Sequence, residues 1–171
     1  MKEADARYAW YAGVMKIRPD DRVLELGCGA GIAVSVIAAH LENGQITAVD
    51  RSEKMIAMAA KRNAGAIAAS KVKLEHCGFA DFNTQNRFDV IFASNVIALW
   101  RNEGDILVRL REFLKEKGRI FLFFQTLHHD PDAAEQAMLS GEEQLLACGY
   151  RAVKKHSGPE ETRAYGVSAL L

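Results

Sequence analysis

The stretch Val23-Leu24-Glu25-Leu26-Gly27-Cys28-Gly29-Ala30-Gly31-Ile32 decides the fold. A short apolar run carries one carboxylate, three glycines follow at alternate positions, and an apolar segment of helical character comes next. Glycines in such a turn admit backbone angles closed to other residues and clear side chains where a ligand must approach the main chain. A helix starting directly behind the turn aims its N-terminal N–H groups and positive dipole end at the same spot. Strand, glycine turn and helix in that order predict a nucleotide-like ligand held at the first turn of an open α/β sheet.

Upstream of this unit, residues 6–17 place Tyr8, Tyr11 and Met15 at helical spacing, and Pro19 ends the predicted helix. Downstream, residues 32–41 read as a helix closed by Glu42-Asn43-Gly44, where Asn-Gly suits a left-handed cap. Residues 45–49 are a predicted second strand ending at Asp50, with Ser52 the N-cap of a helix over 53–63. Residues 71–76 alternate as a third strand, and 77–86 form a polar loop. The runs 88–93 and 119–124 are almost wholly apolar, as central parallel strands buried on both faces are. Between them, Ile106, Leu107, Leu110 and Leu114 predict a helix over 104–114 that Lys115-Glu116-Lys117-Gly118 caps. A helix over 132–147 is followed by strands at 150–156 and 162–170, an antiparallel hairpin across Ser157-Gly158-Pro159. The expectation is an α/β, doubly wound, three-layer fold. Its mostly parallel seven-stranded sheet ends in that hairpin, and residues 1–171 form one domain with the ligand crevice at the strands' carboxyl ends.

The formal net charge is zero, from 22 Lys+Arg against 22 Asp+Glu. That argues against the broad basic surface that duplex DNA or bulk RNA requires, while leaving room for a local patch. Cys28, Cys77 and Cys148 are odd in number and form no CxxC pair. Neither a disulfide framework nor a structural zinc site is expected, and a reducing cytoplasm is the expected location. The polar start Met1-Lys2-Glu3-Ala4-Asp5 does not read as a signal peptide. No apolar run reaches the roughly 18 residues of a membrane span.

The spacing Gly27-x-Gly29-x-Gly31 differs from the Gly-x-Gly-x-x-Gly of dinucleotide folds, although Asp50 serves a ribose in either case. Glu25 discriminates better. A carboxylate beside a pyrophosphate is repelled, whereas one beside a cationic ligand is attracted. Four further segments join the opening stretch in order and spacing: Ile46-Thr47-Ala48-Val49-Asp50-Arg51-Ser52-Glu53-Lys54-Met55, Phe79-Ala80-Asp81-Phe82, Phe88-Asp89-Val90-Ile91-Phe92-Ala93-Ser94-Asn95 and Leu114-Lys115-Glu116-Lys117-Gly118-Arg119-Ile120. As a set, residues 20–126 resemble the class I S-adenosylmethionine-dependent methyltransferases.

The resemblance implies S-adenosyl-L-methionine as cofactor and assigns roles to matching positions. Gly27, Cys28, Gly29 and Gly31 would carry the donor's amino-acid part, with Glu25 near its ammonium. Asp50 would accept from both ribose hydroxyls, flanked by Arg51 and Met55. Asp81 with Ala80 would meet the adenine amino group, Phe82 or Phe79 the ring face, and Ser94 with Asn95 the methionine chain. Plainer readings stand beside these: Asp50 as a cap, Asp81 as a solvated carboxylate, Met55 and Phe82 as core, and Glu25 as a group behind the ligand contacts.

Methyl transfer from a sulfonium is an in-line displacement on a donor already activated, so positioning supplies about 7–11 kcal/mol. A base is required only where the acceptor must lose a proton. The sequence therefore names no catalytic residue outright, only the candidates His128, His129 and Asn95, with Trp100 also following the fourth strand and Trp10 and Tyr11 read as either helix-packing core or acceptor-pocket wall. The helix within residues 1–18, carrying Tyr8, Trp10 and Tyr11, is expected to cover the substrate site. His128-His129-Asp130 lacks a third ligand, so no metal is expected. Ser94-Asn95-Val96-Ile97 also lacks the prolines of the Asn/Asp-Pro-Pro-aromatic motif of base-modifying methyltransferases. A small-molecule acceptor is expected. A protein acceptor and a donor-binding regulatory protein are the alternatives, and nucleic-acid and membrane partners are disfavoured. Monomer and homodimer both fit.

Overall fold

The two most apolar runs of the chain lie side by side at the centre of one sheet. Their side chains point alternately to the two faces, and each face is closed by its own helices. The computed structural model describes residues 3–101, 105–128 and 130–171. β1 (Arg22–Leu26), β2 (Gln45–Asp50), β3 (Val72–His76), β4 (Phe88–Ser94), β5 (Leu114–Gln125), β6 (Arg151–Ser157) and β7 (Ala164–Leu170) form one seven-stranded sheet. The order is β3-β2-β1-β4-β5-β7-β6. The first five strands run parallel, and β7 is antiparallel to both β5 and β6. This is the expected doubly wound sheet with its closing hairpin.

Val23, Ile46, Val90, Phe92, Phe121 and Phe123 face a layer that includes α1 (Glu3–Met15) and α2 (Ile32–Ala38). Ile56 of α3 (Glu53–Arg62) and Ala66 of α4 (Ala64–Ala68) pack against that layer. Leu24, Leu26, Ile91, Ala93, Ile120 and Leu122 face α5 (Ile97–Trp100), α6 (Ile106–Phe113) and α7 (Pro131–Ala147). Packing of this kind, at about 1.5–3 kcal/mol per buried large side chain, is what holds the short helices. Seven residues such as those of α2 do not hold a helix in water on their own, and Ala33, Val34, Ile37 and Ala38 are all buried.

Several boundaries depart from expectation. α2 stops at Ala38, and Asn43-Gly44 forms no left-handed cap, since Gly44 is not among the positive-φ glycines. Gly44 serves close approach instead. Its N–H donates to Pro19 O at 2.9 Å, and a Cβ there would stand 2.4 Å from Asp21 O. α4 and α5 fall in segments the sequence left irregular. Residues 114–118 belong to β5 rather than to a helix cap. Leu114 is buried and pairs with Phe88, and a bulge then restores register at Val90↔Arg119. The start predicted at Gly104 for α6 lies outside the described residues. The hairpin connection runs past Pro159 through a 3-10 turn, Glu160–Thr162.

Candidate functional site

Alternation along β1 turns Leu24 and Leu26 to one helical layer and Val23 and Glu25 to the other. Glu25 is thereby carried into the interior, 3% exposed, and its Oε2 has no hydrogen-bond partner. Burial, and then the neighbouring Asp50 carboxylate, push its pKa up to about 8. An unpartnered buried polar group costs about 1–3 kcal/mol and more when charged, so the ionised carboxylate is suited to meeting a positively charged group.

The chain then turns back. The N–H groups of Gly27 and Cys28 both donate to Val49 O of β2, at 2.9 and 3.0 Å. Gly27, Gly29 and Gly31 have φ of 75°, 53° and 72°, in the region that favours glycine. A Cβ at Gly27 would lie 2.7 Å from Val96 Cγ2, and one at Gly31 2.7 Å from Asn63 Nδ2. One at Gly29 would meet nothing within 4 Å, so that residue leaves bare backbone facing open space. Asp50 locks the turn: its Oδ2 accepts the Gly29 N–H at 2.8 Å and its Oδ1 the Ser52 N–H at 2.9 Å. Ser52 in turn caps α3, accepting the Met55 N–H.

The far end of α3 clamps the same turn. Asn63, 4% exposed, donates to Gly31 O and Ala59 O at 3.1 and 2.9 Å and accepts from Ser35 Oγ at 2.8 Å. Arg62 Nε donates to Ala30 O at 2.9 Å. Sequence reasoning passed over both residues, because their partners lie about thirty positions away.

A cleft of about 810 Å³ opens at the carboxyl ends of the strands, within the size range of small-molecule sites. It is lined by Gly27, Asp50, Arg51, Gly78, Phe79, Ala80, Ser94, Asn95, Val96, Ile97, Ala98 and Ile106. Glu25, Cys28, Gly29 and Gly31 are not among the lining residues; they lie on β1 and the turn around Gly27, which does line it. Cys28 is buried, its thiol pushed up by burial and then by Glu25, which makes it a packing group rather than a nucleophile. Met55 is half-buried on α3 and is not among the lining residues. Asp81 is exposed on the turn that Gly78 begins, its N–H bonded to Gly78 O at 3.1 Å.

Phe82 requires a correction. It is 2% exposed and stands edge-on to Phe113 at 5.5 Å, part of the core beneath α6, whereas Phe79 lines the cleft. Arg109 of α6 decides between the two phenylalanines. Its guanidinium donates to the carbonyls of Phe79, Ala80 and Phe82, fixing the loop with Phe82 turned inward.

Under α1, Ser94 Oγ lies 3.0 Å from Tyr11 OH, which brings the helix over the ends of β4 and β5. Tyr11 is 1% exposed, stacked on Phe123 at 4.1 Å, and burial pushes its hydroxyl up to about 12. Trp10 leans on the same ring at 5.7 Å, and Arg7 donates to Gln125 and to Tyr8 OH. Asn95, in the left-handed region at φ 58°, accepts the Gln125 N–H at 2.8 Å and so ties β4 to β5. Trp100 packs edge-on to Phe124 at 4.9 Å against the core and is not among the residues that line the cleft. His128 is exposed beyond β5 and does not line the cleft. His129 lies outside the described residues.

Residues 17–153 match a family model described as a methyltransferase domain. The chain belongs to the methyltransferase-domain family. This methyltransferase domain is 32% identical over 145 residues to a malonyl-[acyl-carrier protein] O-methyltransferase of Bacillus cytotoxicus, covering 80% of this chain and 46% of that protein. It is 26% identical over 126 residues to a trans-aconitate 2-methyltransferase of Methylobacterium nodulans, covering 74% and 46%. The chain thus spans about half the length of these curated relatives. A SAM-dependent methyltransferase from Aquifex aeolicus shares the fold with a TM-score of 0.76 at 16% identity, over 98% of this chain and 92% of that one. Among the described residues no helix is long and apolar enough to cross a membrane.

Proposed function

We propose that this methyltransferase domain transfers the methyl group of S-adenosylmethionine to a small-molecule acceptor. The buried Glu25 carboxylate, with its unpartnered Oε2, carries the reading, because an acid behind the Asp50 carboxylate that lines the cleft suits a cationic ligand without phosphates. S-adenosylmethionine, when bound, supplies a methyl group activated by its sulfonium. Glu25 accepts from the donor's ammonium, and its ionised form is stabilised by that contact. Each Asp50 oxygen already accepts one backbone N–H and keeps lone-pair capacity for a ribose hydroxyl. Arg51, Ala80 and Phe79 border the adenosine, and the open face of Gly29 lets the donor lie against the main chain.

The rest of the cleft is bounded by residues that include Ser94, Asn95, Val96, Ile97 and Ile106, none of these five an acid or a strong base. These residues hold and orient an acceptor that arrives nucleophilic, and positioning of this kind supplies about 7–11 kcal/mol. The ligand-sized cleft and the similarity to a trans-aconitate 2-methyltransferase support a small acceptor. Calorimetry with S-adenosylmethionine and S-adenosylhomocysteine tests the reading. Both are expected to bind, and Asp50→Ala is expected to weaken each by about 100-fold, equivalent to about 2.7 kcal/mol. Absence of binding for either, or full affinity in Asp50→Ala, overturns it.

A further inference from the structure

We propose that the amino-terminal end of the sheet, opposite the donor cleft, holds a second binding site for a small anion carrying two or more phosphate groups. A cleft of about 490 Å³ lies there, lined by Lys16, Arg18, Asp89, Lys115, Lys117 and Arg119. Three elements build it. Lys16 and Arg18 follow the end of α1, Asp89 stands at the start of β4, and Lys115, Lys117 and Arg119 come from every second residue of the first half of β5.

Five cations face three carboxylates, Asp89, Asp21 and the neighbouring Asp20, which leaves an excess of two positive charges in a chain of zero net charge. Two of the carboxylates act as braces. Asp21 holds Arg18 at 2.8 Å and Arg119 at 3.5 Å, while Asp89 holds Lys115 at 2.7 Å and Arg18 at 3.5 Å. Arg119 also donates to Met15 O at 2.6 Å, so it is fixed on two sides. The next acid along, Asp20, is engaged by Asn43 at 2.9 Å. Lys16 and Lys117 have no partner among the described residues, and both are exposed. Lys16 holds φ 48°, a left-handed position after a helix where glycine or asparagine is the low-energy choice.

The result is a braced frame of three cations with two lysines free to close on a ligand. Guanidinium forks and ammonium point charges together are the donor set that phosphate oxygens accept from. The positive charge is confined to one cleft of small-molecule size and flanked by acids, without the extended track that a nucleic-acid backbone follows. A compact oligophosphate, free or carried by a nucleotide, matches both its charge and its volume.

Calorimetric titration at low salt with tripolyphosphate, and with CTP as a nucleotide lacking adenine, tests the site. One-to-one binding that weakens as salt is added is expected. The double variant Lys16→Gln/Lys117→Gln is expected to lose about tenfold in affinity for tripolyphosphate, with binding of S-adenosylhomocysteine unchanged. CTP binding more tightly than tripolyphosphate identifies a nucleotide, and equal affinity identifies a free oligophosphate. No binding of tripolyphosphate at millimolar concentration overturns the proposal, as does affinity unaltered in the double variant. A short single-stranded RNA that outbinds tripolyphosphate assigns the cleft to nucleic acid and overturns it too.

Discussion

Asp21 and Glu25 stand at opposite ends of β1, equally buried at 2% and 3% exposure, and the protein treats them in opposite ways. Asp21 accepts from the Arg18 N–H at 3.0 Å, from Arg18 Nε at 2.8 Å and from Arg119 at 3.5 Å. Glu25 leaves one oxygen without any partner, and the charge beside it is a second carboxylate. The paired acid fastens α1 and β5 to the base of the sheet. The unpaired one keeps its bonding capacity for something that arrives later. What separates a structural acid from a ligand-binding one is therefore its partner set, since their burial is nearly matched.

The contrast breaks if the two acids respond alike to removal. Asp21→Ala strands the half-buried Arg119 guanidinium and is expected to cost about 3 kcal/mol of stability, measured by urea unfolding, with donor affinity intact once folded. Glu25→Gln is expected to do the reverse: stability is kept or raised, while S-adenosylmethionine affinity drops about 10- to 30-fold, about 1.4–2 kcal/mol.

Glu25 also makes the protein respond to pH. The folded, ligand-free protein raises the Glu25 pKa from 4.5 to about 8, so it holds that proton more tightly than the unfolded chain does. Glu25 thus makes stability fall as pH rises through that window. A cationic ligand favours the ionised carboxylate, so donor affinity climbs over the same window and binding near neutral pH releases a proton. Calorimetry in two buffers of different ionisation enthalpy reads that proton, and Glu25→Gln should abolish it. A parent protein that releases none would place the donor away from Glu25. Smallest is Arg109→Met, which frees the Phe79–Phe82 loop from its carbonyl clamp. About 1–2 kcal/mol of stability should be lost, with S-adenosylmethionine binding weakened about threefold by the same calorimetry.

The frame of the fold was legible because its signals are periodic or local. Phe88-Asp89-Val90-Ile91-Phe92-Ala93 reads as a buried strand from its own composition, and Ser52 announces α3 from its own side chain. The missed features depend on partners distant in the chain. Asn63 and Arg62 matter through Gly31 and Ala30, and Gly44 through Asp21. The choice of Phe79 over Phe82 follows from a guanidinium nearly thirty residues on. α4 and α5, of five and four residues, are too short to leave a period in the sequence. The glycine turn shows both sides of this. Its spacing named the ligand class, yet only packing distinguishes Gly27 and Gly31, which are hemmed in, from Gly29, which faces open space.

The strand order has a consequence for how the chain assembles. β7 is made after β6 yet lies between it and β5, so β6 has no neighbour to join until residues 164–170 exist. During synthesis the sheet can extend from β3 to β5 in step with the emerging chain, and then it must wait. β6 and β7 meet first as a local hairpin, a microsecond event, and dock on β5 as a pair. Until then the β5 edge, carrying Phe121 and Phe123, is an open template for strands of other molecules. A pause or cut just before residue 164 thus leaves the β5 edge unpaired and takes Tyr165, Val167 and Ala169 out of the core, rather than giving a protein that is merely shorter.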